Sequence, residues 1–167
     1  VYAQKDKLEL MPGSDKMYPN KKLGAIVLSG NVHFTYQDNH MYCDSALYFE
    51  ESNKVKAFGQ VQITKKGGFN LFCDSLWYDG NTEKAKLWSR VRARDLEYKL
   101  ECDSMDYDSR LSQALYKNGG TVTSIDGQEI LKSKIGYFYP DSKDFFFKTQ
   151  VKYTSPTTVL TTDTLNY

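Results

Sequence analysis

Cys43-Asp44-Ser45-Ala46-Leu47-Tyr48 returns as Cys73-Asp74-Ser75-Leu76-Trp77-Tyr78, and again as Cys102-Asp103-Ser104-Met105-Asp106-Tyr107. Two weaker copies follow, Lys132-Ser133-Lys134-Ile135-Gly136-Tyr137 and Thr162-Asp163-Thr164-Leu165-Asn166-Tyr167. Tyr48, Tyr78, Tyr107, Tyr137 and Tyr167 therefore mark a unit of about thirty residues, and Tyr18 fits one further, degraded copy. A fixed period of this kind means a supersecondary unit that cannot bury its apolar face alone and stacks on its neighbours.

A second motif runs between these copies: Gly30-Asn31-Val32, Gly59-Gln60-Val61, Ser89-Arg90-Val91, Gly120-Thr121-Val122 and Thr149-Gln150-Val151. Each unit thus holds two strands. In the second-motif strand, Val55, Ala57, Gly59, Val61 and Ile63 alternate onto one face, as do Ala85, Leu87, Ser89, Val91 and Ala93, which makes that face the buried one. Its middle position is mostly small, as close approach of an opposing sheet or a ligand would require.

The Cys-Asp strand changes parity. Met41, Leu71, Leu100, Ile130 and Leu160 precede the Cys position by two, whereas Ala46, Leu76, Met105, Ile135 and Leu165 follow it by three. On a straight strand these sets face opposite ways. If both are buried, the strand bulges or bends near Asp44, Asp74, Asp103 and Asp163, where a short polar side chain can bond nearby backbone.

Short links rich in turn formers, such as Asp79-Gly80-Asn81, Lys66-Gly67-Gly68 and Asp126-Gly127, suit antiparallel hairpins. The expected fold is all-β, a meander creased into two facing sheets around an apolar interior. A parallel β-helix is the rival, which would set equivalent cysteines on adjacent rungs.

Composition agrees. Thirteen Tyr and nine Phe, with abundant β-branched residues, favour strands. Lys and Arg total 22 against 21 Asp and Glu, a net charge of +1, which excludes the strong positive field of a nucleic-acid binder. Arg90, Arg92 and Arg94 alternate as a solvated strand face. Val1-Tyr2-Ala3-Gln4 resembles the small-residue end of a cleaved export signal.

Few residues suggest chemistry. Cys43, Cys73 and Cys102 share one repeat position and read as small buried residues rather than a bridge or metal site. Only His33 and His40 could join a metal site, and no close Cys pairs accompany them. The Asp ladder could in principle bind calcium or supply glycosidase acids, but Gly-rich calcium repeats are missing and a catalytic pair should be a local exception. No phosphate loop or nucleophile elbow is present, so neither an enzyme nor a cofactor is expected.

The Gly-Asn-Val, Cys/Ala-Asp-x-x-x-Tyr, Gly-x-Val rhythm over Leu23 to Tyr167 resembles the OstA-like (organic solvent tolerance protein N-terminal) family, which includes the periplasmic lipopolysaccharide-transport bridge protein. Cys replaces the family's usual Ala or Gly at positions 43, 73 and 102, and the fourth copy carries Ser133 where Asp is usual. The resemblance implies a twisted, incompletely closed β-jellyroll that takes acyl chains of lipopolysaccharide, or another acyl lipid, into its interior. On that reading Val32, Val61, Val91, Val122, Val151, Met41, Leu71, Leu100 and Ile130 line the groove, and edge strands pair end to end with similar jellyrolls, a second copy included.

Residues 1–22 read as a leader and the degenerate first repeat, and 23–167 as the jellyroll, either a fragment of a longer protein or ending in a strand that docks on a partner. The expected location is periplasmic or outer-membrane-associated, in a Gram-negative cell envelope. The alternative is a structural β-repeat scaffold of the cell envelope with a packed interior.

Overall fold

The computed structural model describes residues 7–167; Val1 to Gln4, the stretch that resembles the end of an export signal, lie outside the described residues. One sheet of fourteen antiparallel strands accounts for the fold, and the described residues contain no helix. The strands are β1 (Glu9–Leu10), β2 (Lys16–Asn20), β3 (Ala25–Tyr36), β4 (Asn39–Phe49), β5 (Lys54–Lys65), β6 (Phe69–Asp79), β7 (Lys84–Arg94), β8 (Tyr98–Asp108), β9 (Gln113–Tyr116), β10 (Gly120–Ser124), β11 (Ile130–Ser133), β12 (Ile135–Tyr139), β13 (Asp144–Thr154) and β14 (Val159–Asn166).

From β3 to β8 each strand pairs with its sequence neighbour. β8 then pairs with both β9 and β10, and β13 with both β11 and β12, because in each case one long strand is broken partway. β14 lies on the outer edge of β13, while β1 and β2 share the outer edge of β3. No pairing among the described residues joins these two edges, so the sheet is not a closed barrel. Antiparallel pairing throughout excludes the parallel β-helix. Cys43 on β4 pairs with Val32 and Cys73 on β6 pairs with Val61, and β5 runs between β4 and β6, so an intervening strand separates these cysteines.

The repeat creates a crease. Pairing of β3 with β4 slips between Ser29↔Ser45 and Val32↔Cys43, leaving Gly30 and Asn31 opposite Asp44 alone. Gly59-Gln60, Ser89-Arg90 and Thr149-Gln150 likewise oppose Asp74, Asp103 and Asp163. Both residues of each pair have positive φ, for example 74° at Gly59 and 42° at Gln60. A left-handed conformation costs a residue with a Cβ roughly 1–2 kcal/mol, which explains glycine at the first position in two copies.

Of the two alternatives, a bulge or a bend near the Asp, the Asp strand takes the bend, and the extra residue belongs to the second-motif strand opposite. Met41 and Cys43 face inward before Asp44, and Ala46 and Tyr48 after it. The small middle position does not accommodate an opposing sheet. A Cβ on Gly59 would lie 2.6 Å from Oδ2 of Asp44, on the outer face. Asp15 crowds Gly30 in the same way and accepts a 3.0 Å hydrogen bond from Asn31 Nδ2.

On either side of the crease the sheet forms two walls, a near wall ending in the turns at 50–53, 80–83, 109–112 and 140–143, and a far wall ending at 37–38, 66–68, 95–97, 125–129 and 155–158. Leu28, Leu76 and Leu87 of the near wall and Val32, Phe34 and Leu71 of the far wall are all at most 1% exposed. Burial of each such side chain contributes about 1.5–3 kcal/mol. Aromatic pairs cross from wall to wall: Tyr36 with Tyr78 (6.0 Å), Phe69 with Phe138 (5.6 Å) and Tyr98 with Phe145 (5.3 Å).

The fifth copy keeps the expected register, with Thr162 opposite Val151, whereas the fourth copy and the degenerate first one do not. In the fourth copy Leu131, Ser133, Gly136 and Phe138 face inward, so Ile130, Ile135 and Tyr137 are each one residue out of step. Gly120, not Val122, stands opposite Cys102 where Val91 stands on the other side. Pro19, not Tyr18, pairs with Ile26 as Tyr48 does. The physical reason in the fourth copy is Tyr116. Its ring occupies the space where Gly120 and Gly136 carry no side chain, and its hydroxyl shares a 2.6 Å hydrogen bond with Ser133 Oγ.

Gly59→Ala should cost about 3 kcal/mol, combining left-handed strain with displacement of Asp44. Gly24→Ala, at φ 64° with nothing within 4 Å of the new Cβ, should cost only about 1 kcal/mol. Denaturant melts of the two variants measure the difference, and equal losses would contradict a crease locked by the aspartate.

Candidate functional site

The inner faces of the two walls enclose an apolar slot that runs across the strands. Val32, Val61, Val91, Val122, Val151, Leu71, Leu100 and Met41 all point into it and are between 0% and 7% exposed. Ile130 is half-buried on the outer face, and Leu131 takes the inward place at 1% exposure. Side chains fill the slot around the valines. An apolar cavity of about 40 Å³ lies at its margin, lined by Leu8, Phe34, Tyr36, Asn39, His40, Met41, Ile63, Tyr78, Ala85, Tyr107 and Ser109.

Opposite the crease, the turns of the two walls meet along a seam. Tyr36 donates a 2.8 Å hydrogen bond to Oε1 of Glu83, which also lies 3.7 Å from Arg110. Lys65 Nζ donates to Ser112 Oγ at 2.6 Å and to Asp141 at 3.2 Å. Lys143 pairs with Glu97 at 2.9 Å, and at the other end the Leu8 amide donates to Asn53 Oδ1 at 3.2 Å. The ties Leu8–Asn53, Tyr36–Glu83, Lys65–Ser112 and Glu97–Lys143 span 45, 47, 47 and 46 residues. A nearly constant offset of about one and a half units means that the seam repeats with the sequence.

The repeated tyrosines support this seam from inside. Tyr48, Tyr78 and Tyr107 are at most 9% exposed. Their hydroxyls find protein partners: Tyr48 donates to the Leu8 carbonyl, Tyr78 bonds Ser109 and Tyr107 bonds Ser112. Burial drives all three phenols above their ordinary pKa, Tyr107 to about 12.

The Asp ladder stands on the outer face along the crease. Asp44, Asp103 and Asp163 are exposed, and Asp74 accepts two hydrogen bonds from Arg90 at 2.9 and 2.8 Å, which hold its carboxyl below the usual range. Each carboxylate faces a bulge rather than a cleft. Among the described residues no three His, Cys, Asp or Glu side chains converge as metal ligands. His33 Nε2 and His40 Nδ1 share a 3.0 Å hydrogen bond beside Tyr42, and burial, aided by His40, lowers the His33 pKa.

A sequence model described as OstA-like protein matches residues 6–163. The chain belongs to the OstA-like protein family. No curated protein matches the sequence. Among solved structures, this OstA-like chain is similar to LptH, titled the LptA homologous periplasmic component of the conserved lipopolysaccharide transport device from Pseudomonas aeruginosa. The two share 14% identity and a TM-score of 0.53, over 62% of this chain and 76% of that one. At that identity the likeness establishes the fold, the family's open β-jellyroll.

Local sequence does not single out the seam residues of this OstA-like chain, because polar turn residues read as local punctuation. Their signal is the fixed offset between polar turn positions, legible only once the crease is known.

All three thiols are held protonated by burial, Cys43, Cys73 and Cys102 each rising from 9.0 to about 12. Their contribution to stability is complete below the unfolded value of 9.0 and is lost as pH rises toward about 12. At pH 8 a maleimide should therefore leave the native thiols unmodified and label all three in denaturant, as intact-mass measurement would show.

Proposed function

We propose that this chain is a non-enzymatic lipid-binding module of lipopolysaccharide transport, which holds acyl chains between its two walls in the periplasm or against the outer membrane. The observation that carries this reading is an apolar inner layer that continues from Val32 through Val151 without an interposed charge, inside a sheet that does not close. Transfer of each methylene from water into such a slot contributes about 0.8 kcal/mol, so a few acyl chains suffice for tight binding. Binding requires the walls to part, since the inner side chains now touch. The likeness to the lipopolysaccharide-transport component LptH supports the assignment of cargo.

The same packing favours a second reading, a structural scaffold recognised by its edges. Titration with a fluorescent fatty acid separates the two. Saturable binding that lipopolysaccharide competes away, and that Val61→Asp weakens at least tenfold in protein retaining its strand spectrum, supports transport. A flat titration supports the scaffold.

End-to-end pairing with similar jellyrolls, including a second copy, rests on β14. Its outer edge is unpaired among the described residues, and Val159 and Leu160 are 66% and 42% exposed. Tyr167 exchanges both backbone hydrogen bonds with Phe145, so the alternate residues Asn166 and Thr164 turn their N–H groups outward. Thr164→Pro should remove one outward donor, leave the fold intact and lower self-association severalfold. Sedimentation velocity measures it; unchanged association would place the contact elsewhere.

A further inference from the structure

The valines of the inner layer offer a lipid no first foothold, because they lie 0–1% exposed with side chains packed against them. The 40 Å³ cavity is different. It holds roughly three methylene-sized groups, its wall is built from Phe34, Met41, Ile63, Tyr78, Ala85 and Tyr107, and it sits at the seam rather than in the depth of the slot.

Two ties flank it. Tyr36 contributes to the cavity wall and fastens to Glu83. On the other side Ile63 and Ser109 line it, two and three positions from Lys65 and Ser112, which are fastened to each other. His40 belongs both to this cavity and to an open polar cleft formed with Gln37, Asp38, Thr64, Lys65 and Lys66. Apolar space therefore passes directly into polar, solvent-exposed surface.

We propose that this notch is the entry port for the end of an alkyl chain of an amphiphile, and that the Tyr36–Glu83 and Lys65–Ser112 ties are the fasteners that part to admit it. The inference rests on the acyl-chain reading above and adds where the chain enters and what opposes it. An alkyl chain fits because the notch is too small for a protein side chain with its backbone, yet continuous with an apolar layer that a sliding chain can follow. The head group stays in the polar cleft, which Lys65, Lys66 and Asp38 line together. Once the first methylenes are seated, each further tie opened exchanges one hydrogen bond at the rim for apolar burial inside, so entry proceeds along the seam one unit at a time.

The test is stopped-flow association of cis-parinaric acid, a fatty acid that fluoresces in apolar surroundings, with the full chain and three variants. Tyr36→Phe keeps the ring and removes the tie, and should raise the association rate severalfold. Ala85→Leu fills the notch and should lower it about tenfold. Ala114→Leu overfills the inner layer away from the notch and should change it less than about twofold. If parinaric acid binds the wild type but Tyr36→Phe and Ala85→Leu associate at the wild-type rate, the port is wrong and the acyl-chain reading survives. If the wild type takes up none, both fall. Should Ala85→Leu not fold, an unaltered rate in Tyr36→Phe overturns the port by itself.

Discussion

A pair of left-handed residues beneath a carboxylate folds this protein in half. A pleated strand presents alternate residues to one face and cannot line two opposed walls with the same face unless its course changes. At Gly59-Gln60 and its equivalents the extra residue supplies the change, while Asp44 and its equivalents occupy the outer side of the bend. The crowding is mutual. A side chain at Gly59 would expel the aspartate, and the short aspartate leaves room for backbone that a longer residue would displace.

The crease determines the seam. Once every strand bends at its middle, the turns at its two ends converge, and sheet twist brings together turns about one and a half units apart. Turns carry the polar residues that solvent exposure demands, so the closure is made of hydrogen bonds between Tyr36 and Glu83 or Lys65 and Ser112, whereas the layer beneath is aliphatic and aromatic. Those polar contacts are partly exposed and individually weak. The two walls are thus held firmly at the crease and lightly at the rim, an asymmetry consistent with the entry of cargo from the side.

The three strong copies of the Cys-Asp motif made the fold readable from the residues alone. Their period, their parity change and the turn chemistry between them leave an antiparallel creased sheet as the consistent arrangement. The fourth copy and the degenerate first one depart by one or two residues, at Ile130, Tyr137, Val122 and Tyr18, because the Asp that marks the crease is missing from the fourth copy and displaced in the first, and alternation is the same after a shift of two. Nothing in the local sequence around Lys132 reveals that Tyr116 fills the place of two missing side chains. The inward residues were legible because burial follows alternation; the ties were not, since each joins residues 45–47 positions apart.

Each unit adds two strands to the sheet, and strands stand about 4.8 Å apart. Duplicating or deleting one unit would therefore change the reach of the molecule by a step of roughly 9.6 Å, with every new row supplying its own bend, lining and fastener. Such a body works as a ruler with fixed graduations: its span across a gap can be reset by whole hairpins without redesigning any contact already present.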